Sequence, residues 1–75
     1  MPNNFNEIPV EQELKELKEE LEQHRKFKKL AAKRKEEALR NGDKESYELW
    51  DDENFYQRSE IHRINKRIFE LEGAK

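Results

Sequence analysis

Residues 38–50 read ALRNGDKESYELW, and one residue in this stretch decides the fold: Gly42. It is one of only two glycines in 75 residues; the other is Gly73. The two prolines, Pro2 and Pro9, both lie at the front of the chain. Between Val10 and Arg40, and again between Asp43 and Glu72, there is neither breaker. Both intervals are rich in Glu, Lys, Leu, Arg and Ala, which favour helix. Two helices of about 30 residues follow, each roughly 45 Å long at 1.5 Å per residue. Gly42 suits the left-handed position after a helix, and Asp43 is a good N-cap for the next. Gly73 is expected to end the second helix as Gly42 ends the first. So short a connection makes the helices antiparallel.

Working outward from the turn, the apolar spacing supports this reading. Tyr47, Trp50, Asn54, Gln57, Ile61, Ile64, Ile68 and Leu71 alternate by three and four, which is a heptad seam. Val10, Leu14, Leu17, Leu21, His24, Lys28, Ala31, Lys35 and Ala38 form the matching series, apolar up to Leu21 and polar or small after it. Folding the chain at residues 41–42 sets residues whose numbers sum to about 82 opposite each other. Leu14 meets Ile68, Leu17 meets Ile64 and Leu21 meets Ile61. His24 then meets Gln57, Lys28 meets Asn54, and Ala31 meets Trp50. Polar positions face polar positions, as in seams that use buried polarity to specify register.

Charge gives an independent check. Residues 7–23 carry a net −5, 24–40 a net +6, 41–60 a net −5 and 61–75 a net +2, for a whole-chain −2. An antiparallel hairpin lays opposite signs side by side. Each exposed pair is worth only ~0–1 kcal/mol, but together they select orientation. The expected fold is all-α: an antiparallel, coiled-coil-like two-helix hairpin. Residues 1–9 form a flexible arm, helix 1 covers about 10–40, the turn 41–42, helix 2 about 43–72, and 73–75 a tail. A two-helix hairpin hides little apolar surface, so dimerisation into a four-helix bundle is expected.

The apolar residues outside the seam are the candidate interface. Phe55, His62 and Phe69 recur every seven residues on one flank of helix 2, with Leu49 and Tyr56 on the other. On helix 1, Phe27 lies at the seam edge and Leu30 points away from it. Phe5 and Ile8 precede or open helix 1. The acidic-aromatic run ELWDDENFYQ, residues 48–57, thereby divides among a seam, a charged face and two apolar flanks. Its acids Asp51, Asp52 and Glu53 could mimic phosphate spacing. Pairing with the basic block is the plainer reading.

The basic run HRKFKKLAAKRK, residues 24–35, raises nucleic-acid binding through Arg25, Lys26, Lys29, Lys33 and Arg34. A pI of 5.7 weighs against it, and pairing with the acids of helix 2 would also explain the run. Catalysis has little to work with: no cysteine, no threonine and two serines, Ser46 and Ser59. Glu20, His24 and Glu60 are the nearest approach to a metal set, but the paired Glu-x-x-His motifs of metal bundles are missing. No cofactor and no catalytic residue is assigned. No apolar run approaches the ~20 residues of a membrane span, and the polar start MPNNFNEIPV lacks a charged signal-peptide region. The expected protein is a cytoplasmic, non-enzymatic adaptor, inhibitor or regulator. It acts through its apolar flank on another protein, with a homodimer as the expected assembly; its compact size is that of accessory proteins common in bacteria and their phages.

Overall fold

A computed structural model describes residues 9–73. They form two α-helices and no strand: α1 over Val10–Arg40 and α2 over Lys44–Gly73. The helices pack against each other as a hairpin. The arm expected over residues 1–9, with Phe5 and Ile8, falls outside the described residues apart from Pro9. So do the last two residues of the expected tail.

The turn satisfies the backbone groups that two abutting helix ends leave open. Gly42 has φ +69°, the only positive φ among the described residues. This lets the Asp43 N–H donate to the Ala38 carbonyl at 2.9 Å and the Gly42 N–H to Leu39 at 3.2 Å. That pair of bonds is a Schellman motif. Asp43 then caps α2 in the same residue. Its carboxylate accepts the Ser46 backbone N–H at 3.1 Å and the Ser46 hydroxyl at 2.8 Å. The hydroxyl first, then the backbone N–H, hold the Asp43 carboxyl below its ordinary value. The folded pKa lies below the unfolded one, so the cap's contribution is complete above pH 3.8 and is lost as pH falls through the lower, folded value. Gly73 behaves differently from the expectation. It is the last helical residue of α2 and has no left-handed conformation. At the other end Pro9 caps α1 without a side-chain bond; Glu11 and Glu13 supply the negative charge that the first turn favours.

The seam divides into two unlike halves. Away from the turn, Leu14, Leu17, Leu21, Ile64, Ile68 and Leu71 form one buried aliphatic cluster, with Ile61 packed against it. Ile64 is fully buried. Toward the turn, the buried apolar residues are Ala31 and Ala38, and Tyr47 and Trp50 are half-buried. Alanine lets the helix axes approach but contributes little apolar area. Large aliphatic burial is therefore concentrated at the open end, and the turn end is held by hydrogen bonds, caps and Lys35. The Lys35 ammonium lies 3.1 Å from Asp51 and 5.8 Å from the centre of the Tyr47 ring.

A Cβ added at Gly42 would meet no atom within 4 Å. The cost of Gly42→Ala is thus conformational rather than steric, about 1 kcal/mol. Gly42→Asn, which tolerates the left-handed region better, should cost less. Urea unfolding of the two variants checks this order; equal stability of Gly42→Ala and the parent would overturn the account of the turn.

Candidate interaction surfaces

The polar seam layers come first, because they fix which residues remain outside. Gln57 is buried and pairs its Oε1 with His24 Nδ1. Its amide donates to Glu53 at 2.8 Å. Asn54 is also buried, and its amide donates to the backbone carbonyl of Lys28 at 3.3 Å. The second layer therefore differs from a side-chain pair. The Lys28 side chain is exposed, its stem letting the ammonium stay in water, and only its carbonyl serves the seam. Among the described residues no buried side-chain polar atom lacks a partner. Both bonds join residues whose numbers sum to 81 or 82, so they record the register directly.

Four ion pairs cross between the helices. Glu13 holds Arg67 at 3.1 Å, Lys35 holds Asp51 at 3.1 Å, Lys18 meets Glu72 at 3.7 Å and Glu20 meets Arg63 at 4.0 Å. Arg63 also takes both oxygens of Glu60, at 3.1 and 3.2 Å. That hydrogen bonding holds the Glu60 carboxyl below its usual range against the opposing effect of burial. It raises the Arg63 guanidinium in turn, with smaller contributions from Glu20 and Tyr56. Glu20 and Glu60 thus share an arginine, while His24 is engaged with Gln57. No three metal-ligating side chains converge among the described residues.

The basic block does not pair as expected. Of its eight cations only Lys35 reaches an acid of α2. Arg34 and Arg40 turn to Glu37 and Glu36 on their own helix. Arg25, Lys26, Lys28, Lys29 and Lys33 make no ion pair within the described residues. The five do not form one group: Arg25, Lys26, Lys28 and Lys29 share one shallow groove with Glu22, Ala32 and Ile61, whereas Lys33 borders Glu37, Arg40 and Asn41. Spacing explains the mismatch. Lys29 and Lys33 are exposed and meet no acid of α2; Lys29 has Ile61 as its α2 neighbour in the groove, whatever the net charge of the two blocks.

Every candidate interface residue is exposed. Phe55 and Phe69 show 70% and 79% of their surface. With His62 they form a line on α2 alone. Phe27 and Leu30 of α1 instead border a depression with Leu49, Trp50 and Glu53 of α2. Leu30, expected to point away from the seam, thus borders an apolar patch formed by both helices. The sequence signal for that patch was the cross-helix sum near 82, which sets Phe27 and Leu30 near residues 52–55 and so within a turn or two of Leu49 and Trp50. Tyr56 lies on the same flank, close enough to Arg63 to influence it.

No protein-family model matches the chain, and no curated protein sequence or solved structure is significantly similar to it. No helix among the described residues is long and apolar enough to cross a membrane.

Replacing His24 and Gln57 together by Leu removes both members of a polar layer, which is neutral or stabilising in most contexts. The double variant should melt several degrees higher and populate more than one assembly state, since the register constraint is gone. Thermal unfolding with sedimentation velocity reads both. A lower melting temperature would show that the layer stabilises rather than specifies.

Proposed function

We propose that this chain is a small non-enzymatic interaction protein, an adaptor, inhibitor or regulator of another protein, that works as a dimeric four-helix bundle. One observation carries the reading. Among the described residues eight large hydrophobic side chains are exposed, against six that are buried. A stable monomer keeps exposed apolar residues scattered; here six of the eight, all but Val10 and Leu39, group on two flanks. One flank, the two-helix patch, has the form that bundle packing uses. The other, Phe55, His62 and Phe69, is a narrow stripe on one helix, the form that a groove or a helix of a foreign protein accepts. The depressions found among the described residues are open to solvent, which suits a docking surface better than a reaction that must be desolvated.

The test uses the target stripe. The parent protein is expected to retain a specific protein from an extract of its native host, and Phe55→Asp/Phe69→Asp, with unchanged helicity by circular dichroism, to lose it. Equal recovery by parent and variant would refute the stripe as the docking surface.

The unpaired cations favour a second reading, binding to nucleic acid through Arg25, Lys26, Lys29 and Lys33, with Arg34 drawn aside to Glu37. That reading expects affinity for oligonucleotides to fall by at least tenfold between 50 and 200 mM salt, on the order of a few released counterions. It also expects Lys29→Gln/Lys33→Gln to flatten that dependence. Fluorescence anisotropy with no binding at low salt would end it.

A further inference from the structure

We infer that the stripe of Phe55, His62 and Phe69, together with the cationic groove beside it, binds an amphipathic helical segment of another protein whose carboxylates cluster at the end lying over Phe55. The inference rests on the reading of the stripe as the docking surface for a target protein. It adds the chemical class of the segment and the place of its charge.

Stripe and groove occupy one flank. Phe55 stands four residues after Asp51 and Phe69 three before Glu72, spacings that share a helix face. Asp51 and Glu72 are the acids of α2 that reach Lys35 and Lys18 of α1, so the stripe lies on the side where those pairs cross. Ile61, next to His62, closes the groove of Arg25, Lys26, Lys28 and Lys29 from the α2 side. With His24 opposite Gln57 as the reference level, that groove is level with Phe55. A second depression on α1, bordered by Glu11, Lys15, Lys18 and Glu19, is level with Phe69.

The two depressions differ in charge. The first sets four cations against one acid, Glu22. The second sets Lys15 and Lys18 against Glu11 and Glu19 and is neutral, and Lys18 is also paired with Glu72. Their centres are about 11 residues, or roughly 17 Å, apart along α1. A ligand that matches both is anionic at one end and uncharged at the other. It also carries apolar side chains along the roughly 21 Å from Phe55 to Phe69. A nucleic acid strand has no such gradient. With a phosphate about every 3.4 Å, it lays roughly five charges along those 17 Å, the last of them against Glu11 and Glu19. An anionic bilayer is uniform in the same way. A polypeptide helix sets its charge residue by residue, and apolar residues at seven-residue intervals on such a helix meet Phe55, His62 and Phe69 in register. Glu22 inside the cationic groove fits the same partner. A peptide brings N–H and ammonium donors, whereas a phosphodiester backbone brings only acceptors.

The test selects a displayed library of random peptides about 15 residues long, enough to span the stripe, against the parent protein, with counter-selection against Phe55→Asp/Phe69→Asp. Enriched peptides should carry Asp or Glu clustered at one end and apolar residues spaced by three and four. Fluorescence anisotropy with the tightest peptide then compares two charge-neutralised variants at exposed sites. Arg25→Gln/Lys29→Gln should weaken binding about tenfold, the effect of two exposed charge pairs. Lys15→Gln/Lys18→Gln should leave it within about twofold. Circular dichroism confirms equal helicity. Enriched peptides without clustered acids, or equal effects of the two variants, overturn the inference and leave the stripe reading standing. A single-stranded oligonucleotide, or phosphatidylglycerol vesicles, displacing the peptide at lower concentration than the peptide itself assigns the groove to a uniform polyanion and overturns the inference as well. No enrichment for the parent over Phe55→Asp/Phe69→Asp overturns both the inference and the stripe reading.

Discussion

The left-handed backbone of Gly42 is the constraint on which the rest depends. With φ at +69° the chain reverses within three residues and meets the open carbonyls of α1 in doing so. Asp43 completes the C-terminal motif of one helix and begins the next as its cap. No slack remains in the connection. Register is then set by counting from the turn, and a change of one residue there would move Leu17 off Ile64 and His24 off Gln57. The aliphatic cluster supplies most of the apolar burial. The turn decides which residues can enter it.

The seam shows a division of labour that follows from this. At the open end, far from the turn, the helices are held by area: six aliphatic side chains, with Glu13–Arg67 alongside. Next come the hydrogen-bonded layers of Gln57 and Asn54, which contribute specificity because a slipped register would strand buried amides. Toward the turn, where the connection already keeps the helices together, alanines suffice. The consequence is an uneven molecule, with its apolar surplus outside the half that has the smaller core.

The charge pattern had a different outcome at different levels. At the level of blocks it agrees with the antiparallel hairpin. At the level of pairs it is sparse: one cation of the basic block reaches across, and the rest of the cross-helix pairing lies in the open half. A net charge per segment records what is near on average. A salt bridge requires two side chains on adjoining arcs of two cylinders, and most of residues 24–35 lie on the outer arc. The unpaired cations Arg25, Lys26, Lys28, Lys29 and Lys33 stay exposed to solvent.

The fold was legible because its determinants are local. Helix-forming runs, two glycines and a three-four alternation specify two helices, their antiparallel pairing and the facing layers, and those layers are found at Leu17 and Ile64 and at His24 and Gln57. The misreadings are equally physical. Gly73 stands last in α2, as its composition suggests, but as a helical residue without the left-handed backbone of Gly42. Lys28 occupies a seam position by count and its side chain reaches outward, as a long stem permits; what the count did not show is that its carbonyl takes the role in the layer. The spacing places Leu30 on a face away from the seam, and a helical wheel, which shows one cylinder at a time, does not say what of α2 lies near it. Only packing α2 against α1 brings Leu49 and Trp50 beside Phe27 and Leu30. The sequence by itself determined the elements, their direction and their register, since these depend on backbone preferences and spacing along one chain. The tertiary structure decided which surfaces exist, since a surface is made by side chains of two helices meeting across a distance that no spacing rule encodes.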